Sequence, residues 1–203
     1  GLGAAPHFIL IKNLEASADW CAYHQKMDAT APGDYYMVPS GTGARINNQY
    51  LFSDEATDSV NITYGTDAQV NGTLGHDYIA YCFAPVQGYS KFGGYEGNGN
   101  ADGTFVFCGF RPAWIMVKSI DSVDSWHIVN VKSSPHNVAN KYLMHNSTAA
   151  ETTGTTTDLI DILSNGFKPR ASNAQVNGSH TYIYAAFAEF PLVSSNDMPG
   201  LAR

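Results

Sequence analysis

The sequence predicts an all-β fold, a β-sandwich or jelly-roll-like architecture built from an internal duplication with pseudo-two-fold symmetry. Three observations carry that expectation. The chain resembles itself at a shift of 106 positions, and internal repeats are the first thing to seek in a sequence. Short aromatic and β-branched runs alternate with turns rich in Gly, Asn and Pro, the spacing of a sandwich or barrel. Charged residues make up only 14% of the chain while aromatics reach 12% and glycines number 19, a balance that suits short strands and tight reversals better than amphipathic helices.

The repeat is carried by several blocks in one order. Gly3-x-x-Pro6-x-Phe8-Ile9-Leu10-Ile11-Lys12 falls on Gly109-x-x-Pro112-x-Trp114-Ile115-Met116-Val117-Lys118, and Trp20 falls on Trp126. Tyr36-Met37-Val38 falls on Tyr142-Leu143-Met144. Ala68-Gln69-Val70-Asn71-Gly72 recurs unchanged at Ala174-Gln175-Val176-Asn177-Gly178, and after a slip of two residues Tyr78–Ala84 aligns with Tyr182–Ala188. The expected organisation is a first repeat over 1–90, a glycine-rich connecting hairpin over 91–108, a second repeat over 109–195 and a tail over 196–203. About ninety residues of short strands bury little core alone, so one intertwined domain is expected.

Taken in order, Phe8–Lys12 is an apolar run with the composition of a buried strand, and Trp20–His24 is its return. Ala31-Pro32-Gly33-Asp34 is a turn leading into a short strand at Tyr35–Val38. Tyr50–Phe52 and Ser59–Tyr64 read as weaker strands, and Asp77–Val86 as the strongest of the first half. Lys91–Gly103 holds five glycines among Asn98, Asn100 and Asp102, residues that accept a positive φ at low cost. Strands are then expected at Thr104–Cys108, Trp114–Lys118, Ser125–Lys132, Tyr142–Met144 and Thr181–Glu189. Asp158–Phe167 reads either as a helical turn or as a hairpin about Ser164-Asn165-Gly166, with Pro169 ending that strand or placing it at an edge. The tail from Val193 is polar and expected to be loosely held.

A formal net charge of −7 argues against a nucleic-acid partner, which needs a basic stripe. No apolar run has the length of a membrane span, so membrane insertion is not expected. The chain opens on the first repeat without an initiator Met, as a piece of a longer protein would. Cys21, Cys82 and Cys108 match His127, Ala186 and Leu2 in the other repeat. A disulfide framework would have been kept in pairs, so buried thiols and synthesis in a reducing compartment are expected.

Catalytic constellations are hard to find. The seven histidines show no HExxH or paired metal-ligand spacing, and there is no GxSxG elbow or phosphate-binding loop. The carboxylates that lie near one another, Asp54-Glu55 and Asp158/Asp161, fall in poorly matched loops, so no enzyme is expected. Asn98-x-Asn100-x-Asp102-Gly103 resembles the front of a calcium loop, where alternate oxygens surround the ion. The bidentate Glu such a loop needs is missing, Cys108 and Gly109 standing in its place. A plain turn without cofactor is the preferred reading, with calcium as the alternative. Among aromatics, Trp20, Trp126 and the Trp114/Phe8 pair are kept in both repeats, as core residues would be. Tyr35, Tyr50, Tyr89 and Tyr95 are the candidate ligand-binding side chains, able to stack on the apolar faces of sugars if exposed.

GYSKFGGYEGNGNADGTFVFCGFRPAWIMVK, DYIAYCFAPV, SNGFKPR and TYIYAAFAE together resemble a repeated β-rich C-terminal domain of tail fibres and other virion-associated proteins of marine tailed phages, including cyanophages. The domain often follows a laminin-G or concanavalin-like lectin domain, and the ending SSNDMPGLAR looks like the natural C-terminus of that group. The resemblance spans essentially the whole chain but transfers no catalytic or binding residues. It implies a virion location after synthesis in the host cytoplasm, and a non-enzymatic role as a tail-fibre or appendage module contacting host-surface glycans or proteins. It also implies a homo-oligomer assembled with other virion proteins. The alternatives are a capsid-decorating or head-fibre protein and a carbohydrate-binding module attached to a depolymerase.

Overall fold

The computed structural model describes residues 2–52, 64–156 and 159–189. Its fourteen strands are β1 (Phe8–Asn13), β2 (Cys21–His24), β3 (Tyr35–Tyr36), β4 (Ile46–Asn47), β5 (Tyr78–Phe83), β6 (Ser90–Glu96), β7 (Val106–Phe107), β8 (Pro112–Ser119), β9 (His127–Asn130), β10 (Lys141–Met144), β11 (Thr152–Thr153), β12 (Ile160–Leu163), β13 (Gly166–Pro169) and β14 (Thr181–Ala188). The fold is all-β, and among the described residues one 3-10 turn at Pro32–Asp34 is the only helical element. The chain divides into two compact units, Gly1–Ala84 and Pro85–Arg203.

In the first unit β1 is the central strand, flanked by β2 and β5, and Met37 beside β3 bridges to Ala22 of β2. Alternation along β1 turns Ile9 and Ile11 to one side, where they pack with Cys21, Tyr23, Leu51, Phe52 and Val70. Tyr50–Phe52 is a turn rather than the expected strand. Leu51 and Phe52 are buried, and they close the core as loop-borne plugs. Most of the expected strand at Ser59–Tyr64, the carboxylates Asp54, Glu55 and Asp158, and the C-terminal tail lie outside the described residues.

The second unit is built as two facing layers. One is a six-stranded sheet of order β11-β10-β9-β8-β14-β6, the other a three-stranded sheet of order β12-β13-β7. Between them lie Ile115, Val117 and Val129 of the larger sheet and Val106, Ile160, Ile162 and Phe167 of the smaller, with Tyr95, Tyr182 and Tyr184. Ile160–Leu163 and Gly166–Pro169 form a hairpin around Ser164-Asn165, and β13 ends at Pro169. Gly166 is required there, since a Cβ would sit 2.0 Å from the Val106 carbonyl oxygen.

The stretch expected as a connecting hairpin folds otherwise. Its first strand, β6, pairs with β14, whereas its second, β7, pairs with β13. The glycine-rich turn therefore crosses from one layer of the second unit to the other instead of closing a ladder. The β propensity of both halves was legible, but local sequence does not say which distant strand each will meet.

Under the shift read from the sequence, the registers of the two units coincide. Phe8 faces His24 as Trp114 faces Asn130, and Tyr35 faces Asn47 as Lys141 faces Thr153. Ile9 faces Cys82 as Ile115 faces Ala186. The Ala-Gln-Val-Asn-Gly turns are clamped alike. The Tyr78 hydroxyl donates to Ala68 O at 3.0 Å and accepts from Thr73 N–H. The Tyr182 hydroxyl donates to Ala174 O and accepts from Gly178 N–H.

Candidate functional site

A cavity of about 510 Å3 opens in the second unit between the Pro85–Ser90 turn, the start of β6, the β7–β8 connection and the β12–β13 turn. Each wall follows from local chemistry. Val86 and Ser90 close a tight turn, with Ser90 N–H donating to Val86 O at 2.9 Å and Gly88 supplying the positive φ of 71°. Asn165 O accepts from both Cys108 N–H and Gly109 N–H, at 2.9 and 3.0 Å, which binds the β7–β8 connection to the hairpin. Cys108 and Phe110 are buried beneath, and Phe107 and Val86 stand more than half exposed at the rim. Lys91 is the charged residue of the lining. Its Nζ donates to Phe107 O at 2.8 Å and lies 4.8 Å from the centre of the Phe107 ring, a cation–π arrangement that fixes ring and ammonium together.

The cavity suits binding better than nucleophilic chemistry. Burial pushes the Cys108 thiol up to about 12, with the nearby Lys91 cation opposing only in part, the reverse of the change an attacking thiol needs. Cys21 is likewise raised to about 12, by burial and then by Asp67 and Asp19. Such thiols carry about a thousandfold less thiolate at pH 8 than ordinary ones. Iodoacetamide at pH 8 is therefore expected to spare both thiols in the folded chain and to label them in urea. Labelling of the native protein at the denatured rate would show that these sites are open.

The four candidate tyrosines do not form one platform. Tyr95 is buried, stacks on Tyr182 at 5.0 Å and donates its hydroxyl to Val176 O at 2.6 Å, so its assignment as an exposed binding residue is corrected. It belongs to a strand whose alternate residues face the core. Tyr35 is half-buried and lies under the Arg45 guanidinium, 4.5 Å from its centroid. Tyr50 is 59% exposed and Tyr89 44%. Tyr89 sits in the turn that walls the cavity and packs edge-on against Phe187. Phe107, Lys91 and Val86 were missed by sequence reasoning. In Thr104–Cys108 nearly every residue is apolar, so composition could not show that Val106 and Cys108 turn inward while Phe105 and Phe107 turn out.

The oxygens of the Asn98–Asp102 turn are engaged by protein donors. Asn98 Oδ1 accepts from Asn100 N–H and from Asn177 Nδ2, at 3.0 and 2.9 Å, and Asn100 Oδ1 accepts from Asp102 N–H at 2.9 Å. Asp102 Oδ1 meets Lys168 Nζ at 2.7 Å and Arg170 Nη1 at 3.0 Å. The Lys168 ammonium, followed by Arg170, holds the Asp102 carboxyl below its usual range. A calcium ion would have to displace two cations and a chain of side-chain-to-backbone turns. Among the described residues no group of three or more His, Cys, Asp or Glu is placed to hold a metal. Calorimetric titration with millimolar calcium is expected to give no saturable heat; a saturable isotherm lost in Asp102→Ala would restore the metal reading.

Among the described residues no helix is long and apolar enough to cross a membrane. Residues 1–191 match a family model described as a domain of unknown function, DUF7483. No curated protein and no solved structure matches the chain.

Proposed function

We propose that this chain, which belongs to the DUF7483 family, is a non-enzymatic binding module of a phage virion, the part of a tail fibre or similar appendage that contacts host-surface glycans or proteins. The observation that carries the binding role is the preformed cavity beside Phe107 and Lys91. An aromatic face beside a fixed ammonium, with amide groups of Gln87 and Asn165 in the lining, offers a sugar ring both a stacking surface and hydrogen-bond partners. The virion setting rests on the resemblance of the repeat motifs. Duplication of one repeat belongs to the same reading and is supported by the coincident registers. Self-association follows from it as well, since fibres are symmetric oligomers and multivalency raises weak contacts to useful avidity.

The test is saturable binding of the purified chain to an array of bacterial surface glycans and to cells of a marine cyanobacterium. Phe107→Ala, at an exposed position that leaves the fold intact, is expected to weaken that binding by about tenfold. Saturable binding unaffected by Phe107→Ala would move the site elsewhere. No binding to any surface would favour the capsid-decoration alternative. A strictly monomeric chain across concentrations in light scattering would count against the fibre reading.

A further inference from the structure

We propose that the outer edge of β5 is an acceptor site for a donated β-strand, an extended glycine-rich segment of the Ser90–Gly103 kind supplied by a second polypeptide segment. This chain's own Ser90–Gly103 is already taken, because β6 pairs with β14 over seven residues. The β5 edge would act independently of any glycan binding at the cavity.

The second unit is its own template. There β14 lies between β8 and β6. In the first unit β5 holds the same register to β1 that β14 holds to β8, but among the described residues no strand pairs with its other edge. The phase of the ladder is set by matched bonds, Leu14 N–H to Asp77 O at 2.9 Å and Ile120 N–H to Thr181 O at 3.0 Å. Antiparallel alternation then turns the main-chain groups of Tyr78, Ala80 and Cys82 away from β1. They occupy the positions of Tyr182, Tyr184 and Ala186, which face Tyr95, Gly93 and Lys91 of β6.

The receptor for the turn after the strand is duplicated too. In the second unit Val176 O accepts from the Tyr95 hydroxyl, Asn177 O from Gly99 N–H at 2.8 Å, and His180 O from Gly97 N–H at 2.9 Å. Val70, Asn71 and His76 stand at the matching positions of the first unit. Asn177 is fully buried beneath the turn, whereas Asn71, in the identical pentapeptide, is exposed. Ala80 and Tyr81 are likewise exposed where Tyr184 and Ala185 are buried.

Natural sheets blunt a free edge with charge, proline or a bulge, and Tyr-Ile-Ala-Tyr-Cys-Phe has neither charge nor proline. An incoming strand would gain main-chain hydrogen bonds in the manner of strand addition. An aromatic opposite Tyr78 would repeat the Tyr95–Tyr182 stack. The glycine opposite Tyr184 is forced by that ring, which a Cβ on Gly93 would approach to 2.7 Å. Ala80 lifts this restriction in the first unit.

The experiment titrates the whole chain with a synthetic peptide of sequence SKFGGYEGNGNADGT, the Ser90–Thr104 segment, and follows binding by anisotropy and amide exchange. Saturable binding is expected, with exchange of the Ala80 and Cys82 amides slowed at least ~10-fold. Ala80→Pro should abolish it, since proline at an outward-facing edge position removes the donor without disturbing the β1 ladder. The proposal fails if the peptide does not saturate while those amides exchange freely. It fails equally if the amides are already protected in the free chain, or if Ala80→Pro binds as well as the native sequence.

Discussion

Asn177→Ala is expected to destabilise the second unit by about 3 kcal/mol, while Asn71→Ala, in the same pentapeptide, stays within about 0.5 kcal/mol of the native protein. The Asn177 side chain has no solvent exposure. Its Nδ2 donates to Asn98 Oδ1 at 2.9 Å, Asn100 O at 2.6 Å and Ala171 O at 3.0 Å, and its Oδ1 accepts from Asn98 N–H at 3.2 Å. Truncation leaves several of these groups unpaired in a closed site, and each costs on the order of 1 kcal/mol or more. Asn71 is exposed, so water replaces whatever its amide gives. Urea unfolding of both variants, with exchange at the Asn98 amide, measures the contrast. Equal effects would mean that the pentapeptide acts through its own turn and not through what packs on it.

Stability relative to Lys118→Met is expected to rise by roughly 3 kcal/mol between pH 8 and pH 10.5. Lys118 lies wholly buried in β8, its Nζ donating to Ser119 O at 2.6 Å and Ser122 O at 3.4 Å. Burial lowers its pKa to about 8 from the ordinary lysine value of 10.5, with Asp124 and Asp121 pulling it only part of the way back. Between those two values the unfolded chain binds the proton and the folded chain does not, so raising the pH favours folding. Below pH 8 both states are protonated, and the penalty of burying the charge is present in full and constant. Groups common to both proteins cancel in the difference. A flat difference across pH 8–10.5 would show that Lys118 is solvated in the folded state. Lys12 repeats the same curl, donating to Asn13 O and Ala16 O, so the bends after β1 and after β8 are each held by the lysine that ends the strand's apolar run.

The strands with apolar runs were legible because runs such as Phe8–Ile11 or Trp114–Val117 are short, bounded by turn residues and rich in β-branched and aromatic side chains. The hairpin at Ser164-Asn165 was legible as one of two alternatives, and the sheet removed the other by pairing Ile160–Leu163 with Gly166–Pro169. Tyr50–Phe52 misled because two apolar residues in a turn have strand composition, and only the core they plug distinguishes the cases. The binding candidates fared unevenly for the same reason. Tyr95 and Tyr89 are equal in sequence, yet one faces Tyr182 across the β6–β14 ladder and the other stands in a turn.

The all-β class, the repeat with its shift, and most strands were written in the amino-acid order, since periodicity, propensity and turn chemistry act over a few residues. So was the turn at Asn98–Asp102, because its bonds run two residues along the chain. Long-range packing was needed to send β6 and β7 to different layers, to set Asp102 against two cations, and to stand Phe107 rather than Val106 outward beside Lys91. The same packing made Asn177 a buried brace and left Asn71 in solvent. Identical residues diverge there because burial and hydrogen-bond partners come from strands far away in the chain, and no local rule carries that information.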